Sequence, residues 1–395
     1  MKQRILIFYD HFYPSYKAGG PTQSLVNLVR ELHDVYELYV VCKPHERGET
    51  TLLQGVQVNT WMEWEQEEVE DKVEVEYVVK AKVYYWQYGW GAKEQLLQLM
   101  DAVSPDVVYI NGIYSLYFNF FPIWYAVQYK AKKKSLKIVL AARGMLHGGA
   151  LSQKSIKKKP FLFLFQLLGL HKQVCWHATD EREANFIRSA MGTKVEVKVA
   201  ANFPNLLPVV AGPPKKVNEL VLGTVALISP MKNHLAVLQA LQHIAANISW
   251  FIYGPVKDEA YWNECKGLID QLPSNITVVY TGELPPPQLR DALQQFQVFI
   301  MPSKSENFGH AIMEALSAGK PVITTTTTPF GDLEESNCGV AIEPAHLVEG
   351  LQKAIQAFAE MGAEAFATSS NATQVYLSSK TDAASLRAAY DSLFH

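Results

Sequence analysis

Residues 299–325 read FIMPSKSENFGHAIMEALSAGKPVITT, and the punctuation of this stretch decides the fold class. Val298, Phe299, Ile300 and Met301 form a short apolar run that stops at Pro302. A polar loop follows, Gly309 opens a helical pattern, and Gly319-Lys320-Pro321 closes it ahead of a β-branched run. That succession is strand, loop, helix, strand. Glu306 lies in the loop and Glu314 on the helix, with Asn307, Phe308 and Gly309 at the junction. The first turn of such a helix offers unpaired N–H groups and the positive end of its dipole, which suits a phosphate. Glu306 would repel a bare phosphate, so it reads as an acceptor for hydroxyl groups next to the phosphate, and Glu314 as an acceptor for a second hydroxylated group. By spacing alone the simpler account, two surface glutamates flanking an ordinary helix, is the stronger one.

The same rhythm extends on both sides. Strand-like runs at residues 220–226, 248–253 and 276–280 alternate with helical patterns at 233–244, 260–272 and 286–294, which implies a parallel sheet with helices on both faces. A first series precedes it: strands at 4–9, 36–42, 54–60, 106–110, 137–141 and 174–178, an alternating Val73, Val75, Tyr77, Val79, and helices from Pro21 and over 93–103. Thr179 or Asp180 caps one more helix, with acidic residues in its first turn. The acidic residues 63–76 read as a variable surface excursion. Between the two series, residues 202–217 hold Pro204, Pro208, Pro213 and Pro214 and have linker composition. The expectation is a first domain over 1–205, a second over 206–380, and a closing helix, 381–395, that joins the first.

A chain of 395 residues has room for two or three cores. Its net charge of -3 argues against general nucleic-acid binding. Cys42, Cys175, Cys265 and Cys338 are scattered without metal-ligand spacing and read as reduced, buried thiols of a cytosolic protein. The first residues lack the layout of a signal peptide, and no run approaches the ~20 apolar residues that span a bilayer.

Other candidates lie where strands end. Gly19-Gly20-Pro21-Thr22 is a glycine-rich turn feeding a helix, a second cradle in which backbone N–H groups approach an anion closely. Residues 111–115 and Arg143 fall at carboxyl ends of strands, where ligands collect in open α/β sheets. Arg143 could pair bidentately with a phosphate. Lys154 and Lys157, Lys158 and Lys159 precede the apolar run 160–170. Such a cluster can hold a protein to an anionic membrane, although a core helix with a solvated basic start is the favoured reading. No Ser/His/Asp or Cys/His constellation and no aspartate pair spaced for a metal is evident.

The segment E-N-F-G-H-A-I-M-E-A-L-S-A-G-K-P-V-I, with its flanking P-S, resembles the E-x7-E signature of retaining glycosyltransferases of family 4, the group related to sucrose and glycogen synthases. Gly19-Gly20 resembles that family's N-terminal loop, and Arg143-Gly144-Met145-Leu146 the loop of one of its branches, which carries Arg-Gly in place of a His-Gly pair; His147 is a substitute candidate there. The resemblance implies two Rossmann-like α/β domains facing across a cleft, the GT-B fold. It also implies sugar transfer, with retention and without a metal or other cofactor, from a UDP- or GDP-linked nucleotide sugar to a saccharide acceptor. By resemblance Lys232 neutralises the diphosphate, Asn307, Phe308 and Gly309 present N–H groups to phosphate or sugar, Glu306 binds sugar hydroxyls and Glu314 the ribose. The departing phosphate would take the acceptor's proton. The setting it suggests is bacterial surface-polysaccharide synthesis in the cytoplasm; the basic cluster, read by itself, adds residues 154–170 as the less favoured peripheral contact at the inner face of the membrane.

One position departs from the pattern. The family has R-x-x-x-x-K, and this chain keeps Lys232 but has Leu227 where the arginine stands. A unit charge about 4 Å from a phosphate is worth roughly 4 kcal/mol at an effective dielectric of about 20. A helix N-terminus gives ~0.3–1 and at most about 2 kcal/mol. The expectation is that Arg143 supplies the missing charge. The alternatives are a non-catalytic sugar-nucleotide binder, or another enzyme on the fold such as an epimerase or phosphorylase; release of free nucleoside diphosphate only with an acceptor present separates transfer from epimerisation.

Overall fold

The computed structural model describes residues 2–68, 77–89, 91–146 and 155–395. The chain divides into two compact units, Met1–Phe203 with Ala383–His395, and Pro204–Asp382.

The first unit is built on an eight-stranded sheet in the order β3-β4-β2-β1-β5-β6-β7-β8. The strands are β1 (Arg4–Phe8), β2 (Glu37–Cys42), β3 (Trp61–Glu68), β4 (Tyr77–Tyr85), β5 (Val107–Asn111), β6 (Lys137–Ala141), β7 (Cys175–Ala178) and β8 (Val197–Val199). Every neighbouring pair is parallel except β3 with β4. β1 and β5 are apolar on both faces because helices cover both. Helix α1 (Gly20–Leu32) starts with Pro21 inside its first turn and buries Leu25, Leu28, Val29 and Leu32. The helices α2 (Ala92–Val103), α3 (Phe121–Lys130), α4 (Ser155–Leu167) and α5 (Glu181–Met191) follow in chain order. At the start of α5, Asp180 accepts from the Glu183 N–H at 2.6 Å while the Glu183 carboxylate accepts from Thr179 N at 2.8 Å, a reciprocal cap.

Two sequence expectations change here. The run 54–60 is not a strand; Val58 makes only an isolated bridge to Tyr85. The edge strand is instead β3, inside the acidic stretch. It is antiparallel to β4, with Glu63 and Glu65 opposite Lys82 and Lys80 at 3.7 and 3.2 Å. Opposite charges across the strands make a pair of what, read alone, is an acidic excursion. Val73 and Val75 lie outside the described residues.

The second unit has a six-stranded sheet in the order β11-β10-β9-β12-β13-β14. These are β9 (Glu219–Val225), β10 (Asn247–Tyr253), β11 (Ile276–Gly282), β12 (Val298–Ile300), β13 (Val322–Thr325) and β14 (Gly339–Ile342), all parallel. Numbered within the unit, that order is 3-2-1-4-5-6, the dinucleotide-binding arrangement whose ligand crevice opens where the winding reverses, between β9 and β12. The helices are α6 (His234–Leu241), α7 (Glu259–Ile269), α8 (Leu289–Gln294), α9 (His310–Ser317), α10 (Leu347–Glu360) and α11 (Ala363–Lys380).

The last helix, α12 (Ala383–Phe394), belongs to the first unit. Its Tyr390, Leu393 and Phe394 are buried in the core formed with β1, β2 and α1. Tyr36 donates to Asp391 at 2.9 Å, and Arg387 bonds Asp34 at 2.9 Å.

Candidate active site

In the second unit, the loops leaving β9 and β12 meet at the reversal point. After β9 a short 3-10 turn, Pro230–Lys232, ends on Asn233 in the left-handed conformation. The two loops are laced together: Asn233 Nδ2 donates to the Pro302 carbonyl and Lys304 N to the Met231 carbonyl, both at 2.9 Å. That lacing brings Lys232 Nζ onto Glu306 Oε1, with side-chain exposures of 18% and 15%. A half-screened pair of this kind is attractive by roughly 4 kcal/mol at an effective dielectric of about 20. While it holds, Glu306 cancels the charge that would draw a diphosphate. An anion carrying hydroxyl groups can replace it: phosphate takes the ammonium and the hydroxyls take the carboxylate.

The rest of the stretch stands as a frame. Gly309 adopts φ 76°, and a Cβ there would lie 2.8 Å from the Phe330 ring, so glycine is required. The turn opens α9, with Asn307 exposed and Phe308 half-buried, its ring 4.6 Å from that of His310. Glu314 is buried on α9 and accepts from Asn205 Nδ2 at 3.1 Å. Thr325 and Thr327 donate to the Ser303 carbonyl at 2.6 and 3.1 Å, fixing the loop from the β13 side. Leu227 is half-buried between β9 and the 3-10 turn. Asn205, Asn233 and Ser303 were not singled out by sequence; an asparagine that needs positive φ after a short turn is the weak signal that marks Asn233.

In the first unit the winding reverses between β1 and β5. Gly19 takes φ 83° as the residue before α1, and Gly20 is the first, exposed residue of that helix. The loop ahead of them is tied to a buried carboxylate: Glu46 accepts from Ser15 Oγ at 2.7 Å, Tyr16 N at 2.9 Å and Lys17 N at 3.2 Å.

Arg143, half-buried beyond β6, stands at φ 51° and is the hub of this edge. Its Nε and Nη2 donate to Asn111 Oδ1 at 2.9 and 2.7 Å, Nη1 to Asn202 Oδ1 at 2.5 Å, and Nη2 to the Tyr109 hydroxyl at 2.9 Å. Burial works against its charge, and the phenols of Tyr109 and Tyr390 with the Glu183 carboxylate outweigh that, so its pKa moves up. These hydrogen-bond acceptors are neutral oxygens, which leaves the positive charge in place. The chain of bonds continues inward. His177 Nε2 contacts the Ala200 carbonyl at 2.7 Å and must carry the proton, so Nδ1 accepts from Tyr109 at 2.8 Å. Burial, then the neighbouring Arg143, push His177 down to about 3. Glu183 holds the turn by accepting from Gly144 N at 2.5 Å. Tyr109, His177, Glu183 and Asn202 carried no sequence signal. His147 lies outside the described residues.

The geometry defines two Rossmann-like units, each with a cation at the carboxyl edge of its sheet. Comparison with known proteins agrees with this fold. Residues 210–375 match the sequence model of the family described as Glycosyl transferases group 1. The chain is 25% identical over 146 residues to sulfoquinovosyl transferase SQD2 of Arabidopsis thaliana, which is 36% of this chain and 26% of the relative, so about a quarter of the relative's length is spanned. Its fold is shared with HepE of Anabaena in complex with UDP and glucose, at TM-score 0.64 and 17% identity over 97% of both chains. It is shared also with sucrose-phosphate synthase of Thermosynechococcus elongatus, at TM-score 0.65 and 15% identity over 100% of this chain and 99% of that one. The fold is therefore that of the GT-B glycosyltransferases, with the group 1 sequence pattern carried by the second unit.

Proposed function

We propose that the chain is a retaining, metal-independent glycosyltransferase that moves a sugar from a nucleotide-diphosphate sugar to a saccharide or lipid-linked saccharide acceptor. The observation that carries this reading is the Lys232–Glu306 pair at the reversal point of the unit that matches the group 1 family. Lys232 receives the diphosphate, and Glu306, released from it, accepts from the sugar hydroxyls. Asn307, Phe308 and Gly309 offer N–H groups ahead of α9, and Glu314, already oriented by Asn205, accepts from the ribose. The acceptor's proton passes to the departing phosphate on the same face, so no protein nucleophile is called for.

Gly19 and Gly20 are assigned to the diphosphate and sugar, and Arg143, whose charge no carboxylate directly neutralises among its bonds, to the phosphate charge left uncovered by Leu227. UDP is the first nucleotide to try, because HepE was captured with it; GDP is the second. A bacterial surface polysaccharide made in the cytoplasm is the proposed product.

A thermal-shift screen against nucleoside diphosphates and their sugars tests donor binding, since a bound donor raises the melting temperature. Incubation of the stabilising donor with saccharide acceptors should then release free nucleoside diphosphate only when an acceptor is present. Stabilisation without release across a broad acceptor panel would favour a non-catalytic binder.

A further inference from the structure

Helix α4 does not bury its outer face. Pro160, Phe163, Leu164, Leu167 and Leu168 recur at helical spacing and are all exposed, Phe163 to 67% and Leu167 to 70%, while Phe165 on the opposite side is buried. The stripe contains no polar residue. An amphipathic helix on a globular surface has the reverse arrangement, with charge outward. In sequence three consecutive lysines, Lys157, Lys158 and Lys159, precede the stripe, and Lys172 follows it.

Beside the carboxyl end of this helix lies a groove of about 660 Å³ at the amino-terminal ends of β6 and β7, the edge of the sheet opposite Arg143. Lys130, Lys137, Lys172 and Lys194 line it against one carboxylate, Glu196. Burial, then the proximity of Lys198, hold the Lys137 ammonium below its ordinary pKa, with Glu196 only partly opposing them. A chain of net charge -3 thus gathers cations around its apolar stripe.

We propose that the exposed face of α4 and the lysine groove at its carboxyl end form one docking surface for an anionic phospholipid bilayer. Phe163, Leu164, Leu167 and Leu168 enter the boundary between headgroups and acyl chains, to a depth of about 5–10 Å. The lysines of the groove meet headgroup phosphates beside the stripe, and the groove takes one headgroup. A second copy of the chain fits the stripe less well, because a two-fold contact brings like-charged lysine clusters together at both of its ends. The surface is independent of sugar chemistry: a protein without transferase activity would still bind vesicles.

The test is flotation of the full-length protein with vesicles of phosphatidylcholine alone and of phosphatidylcholine mixed with phosphatidylglycerol, at low and high salt. Binding is expected to the anionic vesicles and to weaken with salt. The double variant Phe163→Asp, Leu167→Asp should lower partitioning roughly tenfold or more. The double variant Lys172→Glu, Lys194→Glu should remove the preference for phosphatidylglycerol. Both alter exposed positions, and unchanged melting temperatures verify the fold; Leu167→Ser is the milder substitute if the stripe variant fails to fold, and Lys172→Gln, Lys194→Gln if the groove variant does. Absence of binding to anionic vesicles at low salt overturns the proposal. So does binding that survives the Phe163→Asp, Leu167→Asp change, or a dimer in sedimentation that this change dissolves, which would assign the stripe to a second copy.

Discussion

At the carboxyl edge of the first unit's sheet, Arg143 directs its N–H groups to Asn111, Asn202 and Tyr109. At the same edge of the second, Lys232 meets the carboxylate of Glu306. The first cation is locked in geometry and keeps its charge; the second is neutralised and held by one exchangeable partner. Arg143 suits a fixed field, and Lys232 a partner that is traded when a ligand arrives. The buried histidines differ in parallel. His177 has both ring nitrogens bonded, whereas neither nitrogen of His234 has a hydrogen-bond partner among the described residues.

The comparison breaks most visibly at Lys232. Lys232→Met should reduce turnover roughly a thousandfold, the rate equivalent of about 4 kcal/mol, with little change in melting temperature. Glu306→Gln should separate two quantities: free nucleoside diphosphate binds more tightly because Lys232 is released, while turnover with the nucleotide sugar falls. Calorimetry and initial rates read the two, and parallel losses in both would deny the exchange.

Arg143→Ala is expected to cost both stability and turnover. It leaves the oxygens of Asn111 and Asn202 without their donors, at about 1–3 kcal/mol for each buried group left unsatisfied. Arg143→Lys keeps the charge and loses the fork. Turnover retained in the lysine variant and lost in the alanine variant, at similar melting temperatures, identifies charge as the contribution; loss in both identifies geometry.

The smallest effect is a pH dependence of stability. Burial lowers His177 to about 3 and, with Lys232 adding to it, His234 to about 4, both below the ordinary 6.5. The unfolded chain therefore binds more protons in that window. The stability from keeping these rings neutral is complete above about 6.5 and declines as pH falls toward 4 and then 3. His234→Phe should flatten this decline with little cost at neutral pH, since it strands no partner. His177→Phe should destabilise at every pH, because Tyr109 and the Ala200 carbonyl lose their bonds. Melting curves from neutral to acid pH distinguish the two.

These contrasts also show what a sequence can carry. The parallel sheets were legible because their strands are apolar by themselves, and the motif placed Lys232 and Glu306 in loops that follow strands, Gly309 ahead of a helix and Glu314 on it, as the structure has them. Residues 54–60 misled because Val56 and Val58 alternate as a strand does, whereas the real edge strand depends on Lys80 and Lys82 lying opposite Glu65 and Glu63. The setting of Arg143 was illegible for the same reason: Tyr109 and Asn111 come from β5, His177 from β7 and Asn202 from beyond β8, and no local pattern says that they converge. The outer face of α4 reads as core in sequence, since composition cannot tell a buried leucine from an exposed one.

The return of α12 to the first unit sets an order of assembly. Residues 204–382 leave the ribosome as one continuous block and can close on their own core. The first unit, although begun earlier, lacks Tyr390, Leu393 and Phe394 until residues 383–394 have been made. Its apolar seam against β1, β2 and α1 stays open for the whole time the second unit takes to be synthesised. Translation stalled anywhere in that interval leaves a nascent chain whose earlier half is the unfinished one, and that half is where chaperones would find it.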